Sequence, residues 1–362
     1  MRSHKPDYLI LFCLIFLVIF GLLALASAST NLGQEKFGDG LYYLKHQIIN
    51  GLLVGLVGFA LAYKVYYRRY QKFALIIFLV SIAAAFLVFT PLGINAGGAD
   101  RWVKIGPVTF QPSEILKLTV ILYFAALLAG EGNRSESFWR GLLPFGIVLG
   151  SVAALLLKQP TTTTVVIIGA SAMVLYFVSG AKLSYVSGIS AVGVLALAVA
   201  VAVTPYRFQR VLNFLNPGAN PLTGGYHLNQ AQIAIGAGQL FGVGYGKSTT
   251  KINFLPEPIG DSIFAVIAEE FGFVGSVILI SAFLIFILRS LLLARRVKDR
   301  FGKFLLIGFG VLISFQVFIN IGAISGLLPL TGVPLPFISY GGTSLAVFMT
   351  MSGIILNVSK HS

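Results

Sequence analysis

Apolar residues in this chain neither alternate nor recur at helical spacing. They run on for about twenty positions at a time and are broken by short polar clusters. Such runs begin near Tyr8, His46, Phe73, Pro112, Gly141, Thr163, Leu183, Ser262, Lys303 and Pro336. A bilayer core about 30 Å thick takes about 20 apolar residues of helix to cross. The pattern therefore predicts an all-α, polytopic integral membrane protein with about ten transmembrane helices. The first run, Tyr8 to Ala28, follows Arg2 and Lys5 and ends in small residues, as a secretory signal does. It is long enough to span, and many spans follow, so it reads as a retained first helix.

Short turns starting at Tyr63, Gly130, Gly180 and Arg289 join alternate pairs of runs, and most are basic. Arg68, Arg69 and Lys72 mark the first of them; Arg295, Arg296, Lys298, Arg300 and Lys303 mark the last. With Arg2, Lys5 and Lys360 at the ends, this charge bias predicts that both termini and these turns face the cytoplasm. The opposite face receives Ser29 to Lys45, Pro91 to Gln111, Pro205 to Gly260 and Gly326 to Pro336. The third of these, a large extracytoplasmic loop over 205–260 between helices seven and eight, is long for a connection, and such loops are commonly functional. It contains the glycine series Gly236 to Gly246, which lacks the preceding strand and the closing pattern of a phosphate loop. A re-entrant or surface segment packed against helix ends is expected there. No internal repeat is visible, which counts against a secondary transporter.

Composition sharpens the class. Of the 362 residues, 57% are hydrophobic and 10% charged, where a soluble domain carries about a quarter charged. The whole chain, 1–362, thus reads as one membrane domain. The net charge of +14 is scattered in clusters between spans, so nucleic acid is excluded as a partner. The single cysteine, Cys13, rules out an intrachain disulfide and a cysteine metal cluster, and the four histidines are dispersed.

Ionisable groups in or beside the spans are the functional candidates, because membrane depth makes them costly. The acids are Glu35, Asp39, Asp100, Glu114, Glu257, Asp261, Glu269 and Glu270; the bases are Lys36, Lys45, Arg101, Lys104, Lys117, Lys158, Arg207, Arg210, Lys247 and Lys251. A mixed set of this kind on the outer face suits an anionic ligand. Asp261 sits where the long loop meets the eighth helix, a position that suits first an N-cap and also a base at the outer surface, two roles that can coexist. Glu269 and Glu270 fall about 12 Å further along that helix and need partners, for which Lys117 or Arg101 could serve. Glu114 and Lys117, three apart, share one helix face, either as a self-neutralising pair or as substrate contacts. Lys158 heads Gln159-Pro160-Thr161-Thr162-Thr163-Thr164, which reads as a helix start with a hydroxyl cap, or as an anion or carbohydrate contact.

Four segments together resemble the shape, elongation, division and sporulation (SEDS) family across nearly the whole chain. The most specific runs from Asn320 through Pro329-Leu330-Thr331-Gly332-Val333-Pro334-Leu335-Pro336-Phe337-Ile338-Ser339-Tyr340-Gly341-Gly342 to Ser344. The others are Arg101-Trp102-Val103-Lys104-Ile105-Gly106 continuing to Gln111-Pro112-Ser113-Glu114 and Lys117; Tyr206-Arg207, Arg210, Phe214-Leu215-Asn216-Pro217 and Gly225-Tyr226; and Phe254-Leu255-Pro256-Glu257 leading to Asp261 and Glu269-Glu270. Phe37-Gly38-Asp39 and Tyr42 to Gln47 resemble the division and sporulation branch more than the elongation branch. Two places depart from the family pattern. Pro160-Thr161 stands where the family usually has Pro-Asp, and Ile259-Gly260 stands before Asp261 where a polar residue and Thr are more usual.

The resemblance implies polymerisation of lipid II into glycan strands at the outer side of the bacterial cytoplasmic membrane, beside a class B penicillin-binding protein. Asp261 matches the family's essential carboxylate. A donor whose sugar already sits on a diphosphate needs one base and cations for the leaving group, unlike the paired carboxylates of many glycosidases. Arg101, Lys117, Arg207 and Arg210 are the candidate diphosphate clamps, with a divalent cation as a further option. Lys104, Glu114, Lys158, Glu257, Glu269 and Ser339 complete the candidate substrate contacts. The competing readings are a flippase for the lipid-linked precursor and a silent division scaffold.

Overall fold

The computed structural model describes residues 5–96, 99–106, 108–130, 132, 134–216, 225–252 and 254–361; Pro217 of the third family segment lies outside them. Among the described residues, eight helices are long and apolar enough to cross a membrane: α1 (Tyr8–Phe37), α2 (Tyr42–Lys64), α3 (Arg68–Phe89), α5 (Phe138–Lys158), α7 (Leu183–Val203), α10 (Ile263–Ala294), α11 (Arg300–Ile324) and α12 (Gly342–Lys360). Two 17-residue helices, α4 (Pro112–Leu128) and α6 (Thr162–Val178), complete the bundle. Two shorter ones, α8 (Pro205–Leu215) and α9 (Tyr226–Ala237), belong to the long loop. The protein is thus a polytopic, almost wholly helical membrane protein. Pro91 to Gln111 holds the exception, a small antiparallel sheet of β1 (Gly93–Ala96), β2 (Ala99–Ile105) and β3 (Val108–Phe110) in the order β1-β2-β3.

Helix ends follow local chemistry. Asp7 caps α1 by accepting from the Ile10 N–H, and Gly38 ends it in the left-handed region at φ 68°. Asp299 accepts from the Gly302 N–H to start α11. Most of α11 and α12 is buried at the centre, whereas α7 has no buried residue and stands at the periphery. Close approach of α2 to α12 relies on small residues: a Cβ on Gly55 would lie 2.6 Å from Met349 Sδ, and one on Gly353 2.7 Å from the Phe59 carbonyl oxygen.

The glycine series does not pack on a helix end; it fills a break in α10. Gly272 leaves helical geometry (φ 66°, ψ −164°), so the Phe273 and Val274 N–H groups lose their usual acceptors, the carbonyls of Glu269 and Glu270. All four groups are satisfied by exchange. Phe273 N donates to Gln239 O (2.8 Å) and Val274 N to Leu240 O (3.1 Å), while Val243 N and Gly244 N donate to Glu269 O (2.9 Å) and Glu270 O (3.1 Å). The approach is so close that a Cβ on Gly238 would lie 1.9 Å from Ala268 O. Irregular backbone at this break is tolerated because its N–H and C=O groups are paired across it.

Candidate active site

Asp261 ends the turn that follows Glu257. The N-cap position of α10 belongs to Ser262, one residue later, so the capping role expected of Asp261 is not the one it has. Its carboxyl faces its own N–H and that of Ser262, with the Arg210 charge nearby, and burial outweighs these to push its pKa up to about 6.

The turn is held from behind by the segment that carries the family resemblance. Tyr340 N donates to Ile259 O (2.8 Å), Ser339 Oγ to Gly260 O (2.7 Å), and Asn320 Nδ2 to Asp261 O (3.0 Å). Ser339 also accepts from Leu335 N (2.8 Å) and is buried. Its hydroxyl is therefore spent on backbone, which corrects its reading as a substrate contact. Gly260 N and Ser262 N both return to Glu257 O, and the Glu257 side chain is exposed beside the turn.

His227 was not singled out from the sequence. Its Nε2 lies 2.6 Å from Ser262 Oγ, which in turn donates to Pro256 O at 2.7 Å. The serine proton being used, Nε2 must carry the hydrogen. Burial lowers the His227 pKa, offset in part by Glu257 and reinforced by Arg210.

Arg210 lies over the Tyr206 ring (4.7 Å to its centre), with Nη1 on Leu330 O (3.2 Å) and Nη2 on the Tyr206 hydroxyl (2.5 Å). Arg101, on β2, joins this group: burial depresses its pKa, Tyr206 raises it and Arg210 lowers it again. Its buried Nε has no hydrogen-bond partner among the described residues. Arg101, Tyr206, Arg210, Glu257 and Asp261 thus come together, while Lys104 and Lys158 are exposed on β2 and at the end of α5.

The other candidates sit elsewhere. Lys117 is fully buried and donates to Glu114 Oε1 (2.6 Å) and Gln316 Oε1 (2.7 Å). Enclosed in this way it does not reach a bound diphosphate, and the pair is self-neutralising. Arg207 turns its guanidinium to Leu157 O (3.1 Å) and Ala200 O (3.3 Å), the carbonyl ends of α5 and α7. Glu269 and Glu270 take partners different from those expected. Ser248 Oγ (2.6 Å), Thr249 N (3.0 Å) and the Thr250 hydroxyl hold Glu269, and Lys251 pairs with Glu270 at 2.6 Å. At Thr161 the hydroxyl donates to Leu156 O (2.9 Å) and makes no cap bond. Among the described residues no three His, Cys, Asp or Glu side chains gather to share a metal ion.

The chain as a whole is similar to known proteins. The chain is 36% identical over 361 residues to the probable peptidoglycan glycosyltransferase FtsW of Geobacter sp. (strain M18), covering 99% of this chain and 98% of that one. It is 33% identical over 363 residues to stage V sporulation protein E of Bacillus subtilis (strain 168), covering 100% and 99%. A chain of a peptidoglycan synthase complex that coordinates polymerization and crosslinking superposes with a TM-score of 0.80 at 28% identity, covering 98% of each chain. The rod shape determining protein RodA of Thermus thermophilus superposes at 0.73 and 28% identity, covering 99% of this chain and 98% of that one. Residues 7–362 match the FtsW/RodA/SpoVE cell cycle protein model, and the chain belongs to that family.

Proposed function

We propose that this protein is an inverting peptidoglycan glycosyltransferase that polymerises lipid II on the outer side of the bacterial cytoplasmic membrane. The observation that carries the reading is the Asp261 carboxyl, fixed through backbone contacts and held by burial at a pKa of about 6 beside the Arg210 guanidinium. A base works best with a pKa near the operating pH. The acceptor hydroxyl passes its proton to Asp261 as its oxygen bonds to the anomeric carbon of the donor. The bond from that carbon to the diphosphate breaks on the opposite face, and the departing charge meets Arg210 and Arg101.

The lipid tails fit between helices. An apolar groove of about 1040 Å³ lies among α5, α6 and α7, lined by Leu149, Val165, Met173, Ile189 and Leu197 among others. A divalent cation at the site would need substrate oxygens to complete its shell, since Asp261 alone is too few ligands. Both termini lie in the cytoplasm in this reading, following the basic turns. The superposition on a peptidoglycan synthase subunit supports a class B penicillin-binding protein as partner.

Asp261→Asn tests the assignment. The Asn320 and Ser339 bonds go to backbone carbonyls at 261 and 260, so the substitution leaves the turn held. The purified variant should insert normally and polymerise lipid II at least about 100-fold more slowly than the parent. Near-normal strand synthesis would remove Asp261 as the base.

A further inference from the structure

The far end of the Asp261 turn is gripped from one side. Ile259 O, Gly260 O and Asp261 O accept from Tyr340 N (2.8 Å), Ser339 Oγ (2.7 Å) and Asn320 Nδ2 (3.0 Å), which lie on α11 or in the segment before α12. The entry of the turn has a different anchor. Pro256 O accepts from Ser262 Oγ (2.7 Å), and Ser262 Oγ lies 2.6 Å from His227 Nε2 on α9. Between the two anchors Glu257 stands in the left-handed region at φ 50°, which favours glycine. A backbone of that kind persists only where its surroundings over-determine it.

Ser262 gives up its ordinary role to serve as that anchor. It occupies the N-cap position of α10, where a serine oxygen usually accepts from a first-turn N–H, yet it makes no such bond. Its proton goes to Pro256 O and its oxygen accepts from His227 Nε2–H, so the hydroxyl holds the turn and not the helix. His227 is carried by α9, which has docking contacts of its own. Leu228, Ala231 and Ala234 are buried, and a Cβ on Gly326, just past the end of α11, would lie 2.5 Å from Gln232 Nε2. Removing the His227 side chain therefore leaves α9 in place.

We infer that His227 is a positioning residue for Asp261: by donating to Ser262 Oγ it fixes the entry of the turn and so keeps the carboxyl where it stands. The inference rests on the glycosyltransferase reading, to which it adds a residue of the long loop. Its consequence has a definite sign. Burial is the main cause of the raised Asp261 pKa, acting against the N–H groups of 261 and 262 and the Arg210 charge. A loosened turn admits water, or lets the carboxyl reach the uncapped first turn of α10, and either change favours the ionised form. The base is then weaker and less well placed. The charged groups that face His227 are Glu257 and Arg210, and both are left unchanged in the test.

The test uses the full chain in detergent, with lipid II as substrate. His227→Phe keeps a ring but removes the donor; His227→Gln returns an N–H at a similar reach. His227→Phe should move the rising limb of kcat down by about one pH unit or more and lower its plateau about tenfold or more. His227→Gln should restore most of both, which also shows that the limb does not belong to the imidazole. Ser262→Ala removes the other end of the bond and should reproduce the His227→Phe behaviour, with the double variant no worse than either single. A lowered plateau with an unmoved limb in His227→Phe marks a structural contact only and overturns the inference. So does a His227→Gln protein as impaired as His227→Phe. Where His227→Phe fails to fold, Ser262→Ala decides alone, and a parent-like limb there overturns the inference. The carboxyl can also be titrated without turnover, by the infrared difference between each protein and its Asp261→Asn counterpart. A parent chain inactive on lipid II at every pH removes the glycosyltransferase reading. The infrared midpoint then still decides on His227: lower in His227→Phe supports the positioning role, and unshifted overturns it.

Discussion

Replacing one member of the Lys251–Glu270 pair should be far more damaging than replacing both. The ammonium lies 2.6 Å from Glu270 Oε1, with side chains 5% and 1% exposed. Its other bonds go to Ser27 Oγ (2.8 Å) and Gly246 O (3.0 Å), and Ser27 donates to the same carboxylate. One ion pair thus joins α1, the glycine segment and α10 at the break. Glu270→Gln leaves the ammonium buried without a counter-charge, and Lys251→Met leaves the carboxylate with a serine alone. Removing one partner of a buried pair costs about 3–5 kcal/mol, whereas replacing both by neutral groups of similar size is often close to neutral. Each single variant should lower the midpoint of thermal unfolding in detergent by on the order of 5–10 °C and slow lipid II polymerisation. The double variant Lys251→Met/Glu270→Gln should recover most of the lost stability. Thermal unfolding of the four proteins closes the cycle. Single variants as stable as the parent, or a double variant as unstable as the two losses added, would show that the pair is not what holds the segment to the break.

Two further predictions concern Asp261 and Thr161. Polymerisation should rise with pH along a limb centred near pH 6, as the Asp261 carboxyl ionises. Because the folded pKa lies above the ordinary 3.8, the folded state holds this proton more tightly than the unfolded chain. The contribution of Asp261 to stability therefore falls between about pH 4 and pH 6 and is level above that; a pH–rate profile flat through this range in the parent sinks the assignment. Thr161→Asp, which restores the acid usual in the family, should reduce polymerisation and give no gain with Mg²⁺ or Mn²⁺. The position is buried and its hydroxyl donates to Leu156 O, a bond that an ionised carboxylate cannot make, at a cost of about 1–3 kcal/mol. A metal-dependent gain in a magnesium and manganese series would show the opposite.

What could be read from the chain alone divides along a physical line. A spanning helix is specified by its own length and composition, so its existence is legible, and the start of α10 near Ser262 was placed to within a residue. The starts of α2 and α3 were placed four and five residues late, because Tyr42, Tyr43, Arg68 and Arg69 are helical but polar or interfacial. The sheet over Gly93 to Phe110 was missed for a related reason: β1 and β3 are four and three residues long, too short for alternation to register. Pairings are harder, since they are set by tertiary approach. Lys117 was the reasonable neighbour for Glu269 and Glu270 until the glycine segment folded back into the Gly272 break and brought Ser248 to Lys251 over them. Polar side chains inside an apolar helix were the available signal for Asn320 and Gln316, and neither was followed.

The position of Asp261 shows why a residue's type and approximate place do not settle its role. Read from the sequence, an Asp at the start of a helix is first of all a cap, and a cap would have its oxygens engaged by N–H groups of the first turn. In the structure the helix begins one residue later, and Ser262 stands at the cap with its hydroxyl donating to Pro256 O and accepting from His227 Nε2. That shift leaves the Asp261 carboxyl outside the helix while its own carbonyl is held by Asn320. A shift of one residue is within the ordinary error of any boundary drawn from sequence. Here it separates a capping carboxylate from one outside the helix, and the contacts around it come from α9, from α11 and from the segment before α12, none of which is adjacent to Asp261 in the chain.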